Sequence, residues 1–224
     1  MGKIMLGRPG MKIIENFLIG AVLSAIFPIL GFLAGWWGTF TFMPDRLIFL
    51  MASAGLLIGI MVDVVFLKRW VGSAYSINLK IWMAVYLFYS IGMLGFFMGV
   101  PVFNLLLAVP AGLFIGSKLA HQRADYNEVR RMSRNTCIFT TGVLAAVCVT
   151  SAVIAWVDPY TSLNLQGMLG LQFEVTRWML AGVIVVGGIA LLCLQWGITG
   201  QVIRLTHAFM QTNVSAVHCA NNEV

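Results

Sequence analysis

The sequence predicts an all-α polytopic membrane protein: a six-transmembrane-helix bundle with both termini cytoplasmic, divisible as a 3+3 inverted repeat. Three observations carry this. First, 60% of the 224 residues are hydrophobic and 10% charged, with a mean hydropathy of +0.91, whereas a soluble domain carries roughly 25% charged residues. Second, the charges separate apolar runs, each close to the ~20 residues that cross a ~30 Å hydrocarbon core. Third, the basic residues are one-sided. Lys3, Arg8, Lys12, Lys68, Arg69, Lys80, Lys118, Arg123, Arg130, Arg131, Arg134 and Arg204 fall on one side, and Arg46 and Arg177 on the other, which accounts for all 14 Lys and Arg. Such an excess marks the cytoplasmic face. Trp36, Trp37, Trp70, Trp82, Trp156, Trp178 and Trp196 all fall near the ends of apolar runs, as interfacial aromatic belts require.

Taken in order, span one covers 17–37, with Pro28 in its middle and small residues four apart at Ala21/Ala25 and Gly31/Gly35. Span two covers 47–67. From Ile81 the chain stays uncharged to Ser117, a length of ~55 Å as one helix and too long for a single crossing. Gly99-Val100-Pro101 is the natural reversal, because Gly permits a tight turn and Pro opens a helix. Span three is therefore 81–99 and span four 101–118. Spans five and six cover 137–157 and 178–198. Residues 1–200 form one membrane domain in this reading, and 201–224 a cytoplasmic tail. The expected location is a prokaryotic plasma (inner) membrane.

Several function classes are excluded or disfavoured. The net charge of +6 and pI near 9.4 reflect topology rather than a nucleic-acid partner. Cys137, Cys148, Cys193 and Cys219 form no CxxC pair, which disfavours a disulfide framework or a metal site. The basic start before an apolar run resembles a signal peptide, but span one exceeds an h-region of ~7–15 residues and reads as a retained helix. Leu6 stands where a myristoylation signal needs Ser or Thr. Walker, GxGxxG, GxSxG and HExxH patterns are lacking, so no enzyme activity, metal or cofactor is expected. Any ATP-driven step falls to a separate subunit.

Chemistry-bearing residues inside the spans are few. Gly55, Gly59 and Asp63 recur every four residues and share one helix face, a groove of missing side chains leading to a carboxylate. Every other acid lies at or beyond the end of an apolar run. Asp63 lies about 7 Å inside the boundary marked by Lys68. Lys68 and Arg69, at i+5 and i+6, are poorly placed to pair with it. Its partner is expected on another helix, with Tyr86, Tyr89, Ser90, Gln195 and Thr199 as candidates. It is either a binding group or an interfacial acid capped by a hydrogen bond. Tyr86, Tyr89 and Asn104 either line a ligand cavity or act as interhelical hydrogen-bond partners. Pro28 and Pro110 are candidate helix breaks, each followed by a Gly-xxx-Gly pair, Gly31/Gly35 and Gly112/Gly116. Interrupted helices at matching positions of inverted halves mark transporter binding sites, although close packing alone also needs small residues. Ala21, Ala25, Gly55, Gly59, Gly112 and Gly116 are the expected packing positions. The basic loop from Lys118 to Arg134 either meets anionic lipid headgroups or docks a partner subunit. The apolar external loop, 158–177, either lies in the interface or folds back as a lid.

Six spans, cytoplasmic ends and Ala21-xxx-Ala25 in the first helix resemble the substrate-binding S components of energy-coupling-factor vitamin transporters. That resemblance implies contact of Ala21 and Ala25 with a coupling subunit. The chain departs from the family in lacking a vitamin-specific signature and in its short first external loop, 38–46. It is also similar to ABC exporter permeases in span number and in a folded external segment before the last span, but 68–80 is short for their coupling region. The expected function is a transport component, a permease or substrate-binding membrane subunit for a small molecule, working with a partner protein. The alternative is a non-catalytic membrane scaffold or anchor subunit; less favoured is an intramembrane enzyme.

Overall fold

The computed structural model describes Phe17, residues 19–97, 99–161, 166, 167, 170 and 176–221; for Asp45 and residues 212–221 it describes the backbone alone. The conformation expected for 158–177 therefore falls largely outside the described residues. All regular secondary structure within them is helical: α1 (Ile26–Thr39), α2 (Asp45–Ser73), α3 (Leu79–Phe96), a 3-10 helix (Pro101–Leu107), α4 (Ala108–His121), α5 (Tyr126–Val157) and α6 (Arg177–Asn221). Among the described residues, six helices are long and apolar enough to cross a membrane: Ile19–Thr39, Arg46–Ser73, Leu79–Phe96, Pro101–His121, Tyr126–Val157 and Arg177–Gln211. This is the architecture of an integral multi-pass membrane protein.

Several helices outrun the expected spans. α2 continues past Lys68 and Arg69 to Ser73, and α5 begins at Tyr126 rather than near Cys137. Charges end the apolar run without ending the helix, because long basic side chains reach water from a helical backbone. The expected basic loop from Lys118 to Arg134 is thus two helix ends joined through residues 122–125, with Arg123 at a positive φ of 49° in the turn. α6 runs unbroken for 45 residues to Asn221, through most of the segment 201–224 that the sequence marks as a cytoplasmic tail. At about 1.5 Å per residue it is ~67 Å long, more than twice the hydrocarbon core.

By its internal contacts the chain divides into two compact units, Met1–Asn78 with Ala216–Val224, and Leu79–Ser215. In the first, residues 19–24 are helical, Ala25 is a turn, and α1 follows. Pro28 explains the break: its ring clashes with the carbonyl of Ser24 and it has no N–H to donate there. α1 and α2 then pack antiparallel along a seam of missing side chains. A Cβ on Gly31 would fall on the carbonyl of Gly55, and the reverse holds equally. A Cβ on Gly35 would strike the Met51 carbonyl, and one on Gly59 the Phe27 carbonyl. The backbones touch because these positions carry only hydrogen, the close approach that drives helix pairing where lipid removes the hydrophobic incentive.

In the second unit, α3 ends at a reversal where Gly99 has φ +81° and donates its N–H to the Leu94 carbonyl at 2.7 Å. Pro101 then opens the 3-10 helix. The next span is thus half 3-10 and half α, and Pro110 sits in the first turn of α4, where a missing N–H is tolerated. α4 buries Gly112, Phe114, Ile115, Gly116 and Leu119. Its glycines face α6: a Cβ on Gly112 would lie 2.8 Å from the Val202 side chain, and one on Gly116 2.7 Å from Thr206. α5 buries Ser133, Cys137, Thr140, Leu144 and Val147, spaced four and three apart as on one helix face.

Candidate functional site: a buried carboxylate and a polar seam

Asp63 projects from α2 at the position its sequence spacing assigns, one turn beyond Gly59. It is 5% exposed, and neither carboxylate oxygen has a hydrogen-bond partner among the described residues. Gly31 opposite Gly55 and Phe27 opposite Gly59 set an antiparallel register that, one turn further on, brings the Leu23–Ser24 peptide level with Asp63. That level is where the first span is broken, between the turn at Ala25 and Pro28. Ser24 turns its own hydroxyl back onto the Ala21 carbonyl at 3.3 Å. Aromatic rings tie the two helices beside it: Trp70 stacks on Phe27 at 4.8 Å and on Phe66 at 5.6 Å. Towards Lys68 the helices part into an open groove of about 600 Å³, lined by Phe17, Gly20, Ala21, Ser24, Leu67, Lys68, Val71 and Gly72. Leu67, on its wall, lies one turn from Asp63.

Gln195 and Thr199, candidate partners of Asp63, are both engaged within the second unit. Gln195, fully buried, donates its Nε2 to the Tyr86 hydroxyl at 3.1 Å. Thr199 lies 3.4 Å from the Thr140 hydroxyl. One turn along α3 from Tyr86, Ser90 accepts from Asn104 Nδ2 at its carbonyl (3.2 Å) and its hydroxyl (3.0 Å). Trp82, one turn the other way, packs its ring at a tilt of 30° on Phe114 of α4, with centroids 4.0 Å apart. A single face of α3, Trp82-Tyr86-Ser90, therefore meets α4, α6 and the 3-10 helix in succession. Asn104 Oδ1 and Gln195 Oε1 remain unpartnered among the described residues.

These contacts pair Asn104 with Ser90 and Tyr86 with Gln195, each as an interhelical tie. Tyr89 sits edge-on to its neighbour Phe88 at 5.5 Å. Of the packing candidates, Gly55, Gly59, Gly112 and Gly116 all face another helix at backbone distance. Ala21 is exposed along the groove, and Ala25 forms the turn. Thr140 and Ser133 escaped the sequence reading, although their spacing from Cys137, three and four residues, marks a shared face. No group of three or more His, Cys, Asp or Glu able to hold a metal ion occurs among the described residues. No protein-family model, curated protein or solved structure matches the chain.

Proposed function

We infer that the protein is the membrane component of a transport system for a small molecule, with its termini in the cytoplasm of a prokaryotic cell and a partner protein supplying energy or substrate. One observation carries this reading: a membrane-span carboxylate, buried and without a partner among the described residues, beside the turn at which Pro28 interrupts the hydrogen-bond ladder of the first span. A carboxylate in hydrocarbon costs roughly 2.5–3.5 kcal/mol at a helix centre on insertion scales, so it persists where it serves a purpose. Broken helices supply the free backbone groups from which transporter sites are built. The basic excess on the Lys68 side supports the orientation.

The inverted repeat enters this reading as a local motif. Each first helix of a three-span half has a discontinuity three residues before its proline, at Ala25 and Leu107, and then a Gly-xxx-Gly seam. The seams meet different partners: α1 packs on the next helix, α2, whereas α4 packs on α6.

A second reading, an anchor subunit, is favoured by the helical extension at the start of α5. It exposes Tyr126, Glu128, Arg130, Arg131 and Arg134 together, a surface suited to an acidic partner. Mass spectrometry of the tagged protein, gently extracted from its own membrane, separates the two. Recovery with an ATPase and a bound metabolite is the expected result. A stable, ligand-free set of membrane partners would favour the anchor and sink the transport reading.

A further inference from the structure

Asp63 has more around it than an unpaired charge. Pro28 denies Ser24's main-chain carbonyl its helical donor, and the register of the glycine seam brings the Leu23–Ser24 peptide, one residue from that carbonyl, level with Asp63. The facing segment, Ile19–Thr39, contains no titratable side chain. On α2 itself the nearest cations are Lys68 and Arg69, and neither bonds to the carboxylate. The groove walled by Gly20, Ser24, Leu67 and Lys68 ends one turn away, on the side of the bilayer where the basic residues gather.

We propose that Asp63 and the freed Ser24 carbonyl bind one monovalent cation, a proton or a sodium ion, which reaches them along this groove. Charge selects the valence. A single positive charge makes the buried site neutral, whereas a divalent ion would leave an excess charge in hydrocarbon. Both oxygen types suit either ion. As a proton, it sits on one carboxyl oxygen and the O–H donates to the carbonyl. As sodium, it takes the carboxylate and carbonyl oxygens together, with water from the groove completing its shell. Bare backbone oxygen at a helix break is the chemistry by which membrane proteins hold such ions. The ion's role as the coupling ion rests on the transport reading above; its binding does not.

The test uses the purified full-length protein and dicyclohexylcarbodiimide, an apolar reagent that adds to carboxylic acids, with the adduct on Asp63 quantified by peptide mass spectrometry. For a proton site, the adduct falls about tenfold when the pH is raised one unit beyond the midpoint and ignores sodium. For a sodium site, it falls about tenfold at fixed pH as sodium, replacing choline, reaches ten times its dissociation constant. Infrared difference spectra, wild type against Asp63→Asn, read the same carboxyl without needing the reagent to reach it. Asp63→Glu serves as the comparison should the Asn variant fail to fold. A carboxyl band that responds to neither pH nor sodium overturns the proposal, whatever the reagent does. A responsive carboxyl in a protein that moves no solute would overturn the transport reading and leave the site. Solute flux surviving Asp63→Asn, with no carboxyl response, would do the reverse.

Discussion

Single hydrogen atoms decide how the first two spans meet. Gly31 and Gly55 touch backbone to backbone, so Gly55→Leu has no room and forces the helices apart. Overpacking in a tight core costs about 1–3 kcal/mol, and more where backbone must move; thermal unfolding in detergent should show a loss at or above that range. Gly92→Leu is the control, because a Cβ there meets nothing within 4 Å, and its midpoint should stay near wild type. The Tyr86–Gln195 contact is the converse case. Interhelical hydrogen bonds in membranes average about 0.6 kcal/mol, because unfolded helices also find partners. A double-mutant cycle of Tyr86→Phe and Gln195→Leu should therefore give a coupling energy below about 1.7 kcal/mol, and a larger one would mean the pair does more than tie α3 to α6. These ties show where spacing stops being informative. Gly55, Gly59 and Asp63 could be put on one face because four-residue steps are a property of the helix itself. That Gln195 and Thr199 meet Tyr86 and Thr140 depends on which helices become neighbours, which no local pattern encodes.

At the scale of the element, the first span and the last depart furthest from uniform helices. Pro28→Ala restores an N–H for the Ser24 carbonyl, and the helix should close through Ala25. Hydrogen exchange at residues 25–29 should slow, with no loss of thermal stability, since proline costs about 3 kcal/mol in a helix interior. Unchanged exchange would locate the cause of the break outside Pro28. α6 makes a second claim that exchange can check. A single helix from Arg177 to Asn221 predicts protected amides beyond Asn213, whereas a loose end there predicts rapid exchange. The helix ends were the least legible feature of the sequence. Hydropathy reports where lipid ends, and at Lys68, Tyr126 and Gly200 the helix continues past that point. The reversal at Gly99 was legible because a positive φ before a proline has few residue choices.

The number of spans was written in the apolar runs themselves, since ~20 residues per crossing leaves few ways to divide them. Orientation is a prediction of the basic residues, and a reporter fused at the C-terminus should be active only as a cytoplasmic fusion. External activity would invert the account of the groove's entrance. Of the candidate site, Asp63 and the Pro28 interruption were legible in the sequence; that the two lie side by side, at the head of a groove, emerges from packing. The most direct test of the whole account is cation movement in liposomes containing the protein together with the partners that co-purify with it, followed with proton- and sodium-sensitive dyes as ATP and a fractionated extract of cytoplasmic metabolites are added. Wild-type protein should move a cation with at least one fraction, and the Asp63→Asn protein, folded and inserted equally, should move none. Equal movement in the two proteins, or none in either with every fraction, would contradict it.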